Sequence, residues 1–121
     1  SQSSPRDLLQ SMIKAVNNDE LGYMCAYLLY FDDEEELRST LDFVQIQKNN
    51  SDSLGFSPSQ KAEITEVLRD IEGELEKLEP VPDERFLYHL NYAGNVYYFK
   101  NKDGIWKMSP KSTRMLRLTN D

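Results

Sequence analysis

The sequence predicts an α+β domain, with three to four N-terminal helices packed on a C-terminal three-stranded antiparallel meander. Three observations carry this reading. Apolar residues recur at helical spacing as far as Leu78, then at a period of two from Phe86 onward. Ser4-Pro5 and Ser57-Pro58-Ser59-Gln60 have the form of helix starts. Ala93-Gly94-Asn95 and Asn101-Lys102-Asp103-Gly104 have the form of hairpin turns. With 121 residues there is material for one core, so a single domain over 1–121 is expected, with 1–4 as a flexible tail and 111–121 as a mobile one.

The first helix is expected from Ser4 as N-cap, with Asp7 in its first turn and an apolar face at Leu8, Leu9, Met12, Ile13 and Val16, ending near Asn17. A short second helix is read from Asp19 through Leu21, Met24, Cys25, Leu28 and Phe31. Asp33 and Glu36 form a capping box that opens a third helix, continuing through Leu37, Leu41 and Val44. Asn49 to Phe56 reads as a polar loop. Asn49-Asn50-Ser51 within it fits a glycosylation acceptor, a pattern too short to weigh outside a secretory setting. The fourth helix starts at Ser57, carries the stripe Ile64, Val67, Leu68, Ile71, Leu75 and Leu78, and is stopped by Pro80 and Pro82.

Three strands follow: Phe86–Tyr92, Val96–Lys100 and Ile105–Ser109. A turn at Ala93-Gly94 sets Leu90 opposite Tyr97 and Tyr88 opposite Phe99, whereas one at Gly94-Asn95 sets Tyr92 opposite Tyr97. Both turns keep the same faces. A four-residue second loop sets Lys100 opposite Ile105 and Phe99 opposite Trp106. The inner face then holds Phe86, Tyr88, Leu90, Tyr92, Tyr97, Phe99, Trp106 and Met108, with His89, Tyr98, Lys100 and Lys107 on the outer one.

Charge divides the chain. Residues 1–84 carry 19 acids and 7 bases, and residues 85–121 carry 2 acids and 7 bases, within a net charge of −7. An acidic helical half and a basic strand half are expected to attract each other inside one fold. A nucleic-acid partner is disfavoured, because most of the chain lacks a basic footprint. No apolar run reaches the roughly 18 residues of a membrane span, and SQSSPRD holds no signal-peptide core, so a soluble chain is expected. A first residue other than Met fits removal of an initiator Met or of a longer leader equally. The single cysteine leaves no internal disulfide and no multi-cysteine metal site.

Five consecutive carboxylates, Asp32 to Glu36, invite a metal, but consecutive residues fan around a helix, and the alternating acids and glycine of a calcium loop are absent. No metal or other cofactor is expected. For catalysis the chain offers His89, on the outer strand face, and Cys25, on an apolar helical stripe where a small hydrophobe is the ordinary role. No phosphate-cradling loop, HExxH or GxSxG occurs. Binding is the favoured reading, in two versions. In one, Tyr88, Tyr92, Tyr97, Phe99 and Trp106 line a pocket between sheet and helices for a small apolar or aromatic ligand, the tyrosine hydroxyls needing partners if buried. In the other, Asp32, Asp33, Glu34 and Glu35 meet a basic protein, as an acidic immunity or inhibitor protein meets its toxin.

Two segments resemble NTF2-like, cystatin-like α+β domains. SPRDLLQSMIKAVNNDELGYMCAYL resembles that family's opening, with a proline-started helix, a small residue at Ala15, an acid at Asp19 and a second helix. YYFKNKDGIWKMS resembles its closing hairpin, where Gly104 precedes Trp106 and Lys107. Small envelope lipoproteins carry similar segments. The likeness covers about a third of the chain and implies a curved sheet wrapped by helices around a pocket. It also implies a place in the cell envelope, where the sequence alone would suggest the cytoplasm. A small NTF2-like enzyme is a further alternative, since the fold hosts binders and enzymes alike.

Overall fold

The Ser4 hydroxyl accepts the Asp7 N–H at 3.1 Å and Pro5 takes the first helical position, so helix α1 runs Pro5–Asn17 as its capping sequence requires. The computed structural model describes residues 1–50 and 56–110, the side chains of 43–50 excepted. The first turn of α4, Pro58–Gly73, is fixed the same way: Ser57 and Gln60 exchange both bonds of a capping box. The two helices run antiparallel. Arg6 meets Glu72 at one end, and Asp19 meets Lys61 at 2.8 Å at the other, where Asn17 also donates to Thr65. Between them Leu8, Leu9, Met12, Ile64, Leu68 and Ile71 are almost wholly buried.

The second helix departs from regular α geometry. Asp19 takes a left-handed φ of 58°, α2 covers only Leu21–Tyr23, and the chain then widens into a π-turn over Met24–Leu28, closed by Leu29 N–H to the Met24 carbonyl at 3.0 Å. Leu21, Met24, Cys25 and Leu28 still face the core. Helix α3, Glu34–Asn50, is capped by Asp33, whose Oδ1 accepts the Glu36 N–H at 2.8 Å. Leu37 is half-buried and Leu41 exposed, so the stripe expected on this helix is only partly covered. Asn49 and Asn50, expected in a loop, belong to α3. The rest of that loop before Phe56, the Ser51 of the glycosylation pattern, the Val44 side chain and the tail 111–121 lie outside the described residues.

Helix α4 stops at Gly73, short of the expected Leu78. A mid-helix glycine costs about 1 kcal/mol, and Leu75 and Leu78, three apart, suit the 3₁₀ turn Leu75–Lys77 that replaces the last helical turn. The sheet has one strand more than expected. Strand β1, Glu79–Pro80, pairs with β2, Leu87–Tyr92, then come β3, Asn95–Lys102, and β4, Ile105–Met108, all antiparallel in the order β1-β2-β3-β4. Proline is tolerated in β1 because that strand is an edge.

Both hairpins turn on two residues with positive φ, Ala93-Gly94 at 50° and 79° and Asp103-Gly104 at 56° and 78°. The first places Leu90 opposite Tyr97 and Tyr88 opposite Phe99. The second corrects the expected four-residue loop: Phe99 pairs with Met108, Asn101 with Trp106 and Lys100 with Lys107. A slip of two residues keeps every side chain on its face. Phe86 is a further correction. Its φ of 68° places it before β2 and out of the alternation, 43% exposed, with the Arg85 guanidinium 5.3 Å over its ring.

The sheet presses Leu90, Tyr97, Phe99 and Met108 into the helical core, each fully buried. The free side of β4 is covered. Trp106 N–H donates to the Gln2 carbonyl, Gln2 Nε2 returns bonds to the Trp106 and Tyr27 carbonyls, and Tyr30 N–H donates to the Met108 carbonyl. Among the described residues no helix is long and apolar enough to cross a membrane.

Candidate functional site

Helices cover the centre of the inner sheet face, and its five expected ligand residues divide accordingly. Tyr97 and Phe99 are wholly buried core residues. Tyr88 and Trp106 sit half-buried at the rim, ring centroids 4.9 Å apart and inclined at 51°, and Tyr92 is half-buried beside the first hairpin turn. Asp32, Asp33, Glu34 and Glu35 are exposed at the start of α3, where Asp33 serves as cap. The two catalytic candidates lie apart. Cys25 is 3% exposed within the core, and burial pushes its thiol up to about 11. His89 alternates with buried Leu90, so it faces away from that core, stacked on Tyr98 and 3.8 Å from the Glu79 carboxylate. Among the described residues no group of three or more His, Cys, Asp or Glu is placed to hold a metal ion.

A groove of about 410 Å³ opens on the outer side, lined by Tyr30, Lys100, Lys102, Asp103, Ile105 and Lys107. Its construction follows from the register. Lys100 and Lys107 are directly opposed on one face of β3 and β4, and Lys102 is opposed to Ile105 one step nearer the turn. Beyond β4, Leu29 bridges to Met108 and carries Tyr30 alongside the strand. The Lys100 ammonium lies 5.4 Å over the Tyr30 ring, within cation–π range. Burial pushes the Tyr30 phenol up to about 12, a hydrogen bond with the Ser109 side chain opposes that rise, and the nearby Asp32 and Glu36 charges add to it. The phenol is therefore neutral at physiological pH.

Like charges directly opposed across an antiparallel pair are destabilising. Among the described residues none of Lys100, Lys102 and Lys107 is in an ion pair, although the chain holds 21 acids against 14 bases. The groove therefore presents three ammonium groups, a neutral phenol ring and Ile105, which is 49% exposed, with Asp103 the one carboxylate among the described residues of its lining. That is a wall suited to an anionic head joined to a short apolar body. Reading the sequence missed this site because a four-residue loop sets Lys100 against Ile105 and hides the lysine pair. Comparison with protein-family models, curated proteins and solved structures finds no match to this chain.

Proposed function

We propose that this protein is a binding domain and that its ligand, a small amphiphilic anion, lies in the outer groove between Tyr30 and the β3–β4 hairpin. The opposed Lys100–Lys107 pair carries the reading: a repulsive pair in no ion pair among the described residues of an acidic chain suits an external anion that bridges the two ammonium groups. Ile105 and the Tyr30 ring would receive the apolar body, and Lys102 at the groove edge would draw the anion in. A volume of about 410 Å³ suits a small molecule better than a polymer. The inner-face pocket has weaker support, since Tyr97 and Phe99 are spent on the core. The NTF2-like resemblance at the two ends is compatible with a binding role and specifies no ligand.

Calorimetric titration with octanoate, octyl phosphate and uncharged octanol tests this reading. The two anions should bind and octanol should not. Lys100→Gln/Lys107→Gln should weaken the anions at least tenfold, about 1.4 kcal/mol, and added salt should weaken them in the parent chain. Equal binding of octanol, or full binding by the double variant, would exclude the groove as an anion site.

A further inference from the structure

We propose a second and separate surface: the outward face of α2 and the π-turn, bearing Tyr23 and Tyr27, docks a basic segment of a partner protein. The proposal does not rest on the groove, whose lining contains neither tyrosine. Tyr23 and Tyr27 are 47% and 58% exposed, with ring centroids 5.2 Å apart at 42°. The residue before each tyrosine, Gly22 and Ala26, is small and exposed and adds no bulk beside the rings. The stretch from Leu21 to Phe31 carries no charge, yet exposed carboxylates bracket it: Glu20 before, and Asp33, Glu34 and Glu35 after. Among the described residues neither Glu20 nor Glu34 nor Glu35 is in an ion pair.

The platform beneath is fixed. Met24, Cys25 and Leu28 of the same turns are buried in the core, the Tyr27 carbonyl is held by Gln2 at 2.8 Å, and the π-turn is closed at Leu29. Tyrosines on such a support lose little conformational entropy on contact, and Tyr is enriched among the residues that dominate interface energy. A pair of exposed aromatic rings flanked along the chain by exposed carboxylates selects a segment with apolar anchors and Lys or Arg beside them. An anionic bilayer would be repelled by a half-chain with 19 acids and 7 bases. Two copies meeting through this same face would set acid against acid.

The test pans a displayed random-peptide library on the full chain and measures the affinity of the enriched peptides, with sedimentation of the protein alone beside it. Enriched peptides should combine basic and apolar residues and lose at least tenfold in affinity for Tyr23→Ser/Tyr27→Ser. They should also weaken against Glu34→Gln/Glu35→Gln and at high ionic strength. The second double variant keeps the tyrosines, so it also decides the outcome should the first fold poorly. No enrichment, peptides without basic bias, or peptides bound equally by both double variants would overturn the proposal. Self-association that Tyr23→Ser/Tyr27→Ser abolishes would overturn it as well, since the occupant would then be a second copy.

Discussion

Cys25 and Tyr30 hold their protons for the same reason, which is burial. The folded chain keeps the Cys25 proton to about 11 against an ordinary 9.0, and the Tyr30 proton to about 12 against 10.0. In each case the folded state binds its proton more tightly than the unfolded one. The stability these groups lend is therefore whole below about pH 9 and is lost as pH rises through 11 and 12. Thermal melting followed against pH should fall across that window, and Cys25→Ala should be less stable at neutral pH but flatter over the lower part of the alkaline limb. An equal slope in the variant would mean that the thiol is not desolvated as the structure places it. Side-chain direction was legible at this scale and depth was not. Alternation put Tyr97, Phe99, Tyr88 and Trp106 on one face, but only the first two are wholly buried, because alternation says nothing of what lies above a side chain. Phe86 escaped because no signal in the sequence announces a left-handed φ at a bulky residue.

The capped helices begin where the sequence says, and α4 ends where tertiary packing decides. Ser4-Pro5 and Ser57-Pro58-Ser59-Gln60 mark their helices to the residue, since a cap is local chemistry. The end of α4 depends on whether Leu75 and Leu78 pack better from a 3₁₀ turn, which periodicity alone does not resolve. The π-turn at Met24–Leu28 was equally hidden, because Leu21, Met24, Cys25 and Leu28 also fit an α-helical stripe. Gln2 was hidden because it acts on residues distant in sequence. An open β edge invites another chain, and here Gln2 and Tyr30 occupy the free side of β4 while Pro80 sits in the opposite edge strand. Gln2→Ala removes the bonds to the Tyr27 and Trp106 carbonyls and should cost about 1 kcal/mol. Melting should drop by a few degrees and amide exchange at Trp106 should quicken. An unchanged melt with Trp106 still protected would show that Gln2 does not hold that edge.

At the scale of the whole molecule, the division of charge was legible and its use was not. An acidic helical half and a basic strand half could neutralise each other within the fold, but three of the four ion pairs among the described residues, Arg6–Glu72, Lys61–Asp19 and Lys77–Glu74, lie within the first 84 positions. The fourth, His89–Glu79 at 3.8 Å, crosses to the basic part and is an ion pair only when His89 is protonated. Among the described residues the sheet lysines thus make no ion pair that holds the halves together, and exposed pairs of this kind contribute about 0–1 kcal/mol each. Stability should accordingly change little between low and high salt, while anion binding in the groove should fall steeply. Lys100→Gln/Lys107→Gln separates the two roles. If the lysines serve a ligand, removing their mutual repulsion should leave the melting temperature of the free protein unchanged or slightly higher, by a few tenths of a kcal/mol, even as binding is lost. If they serve the fold by attracting the acidic half through space, the same variant should melt several degrees lower and the parent chain should weaken with salt. A lower melt would remove the observation on which the groove rests, because the lysine pair would then have a structural use.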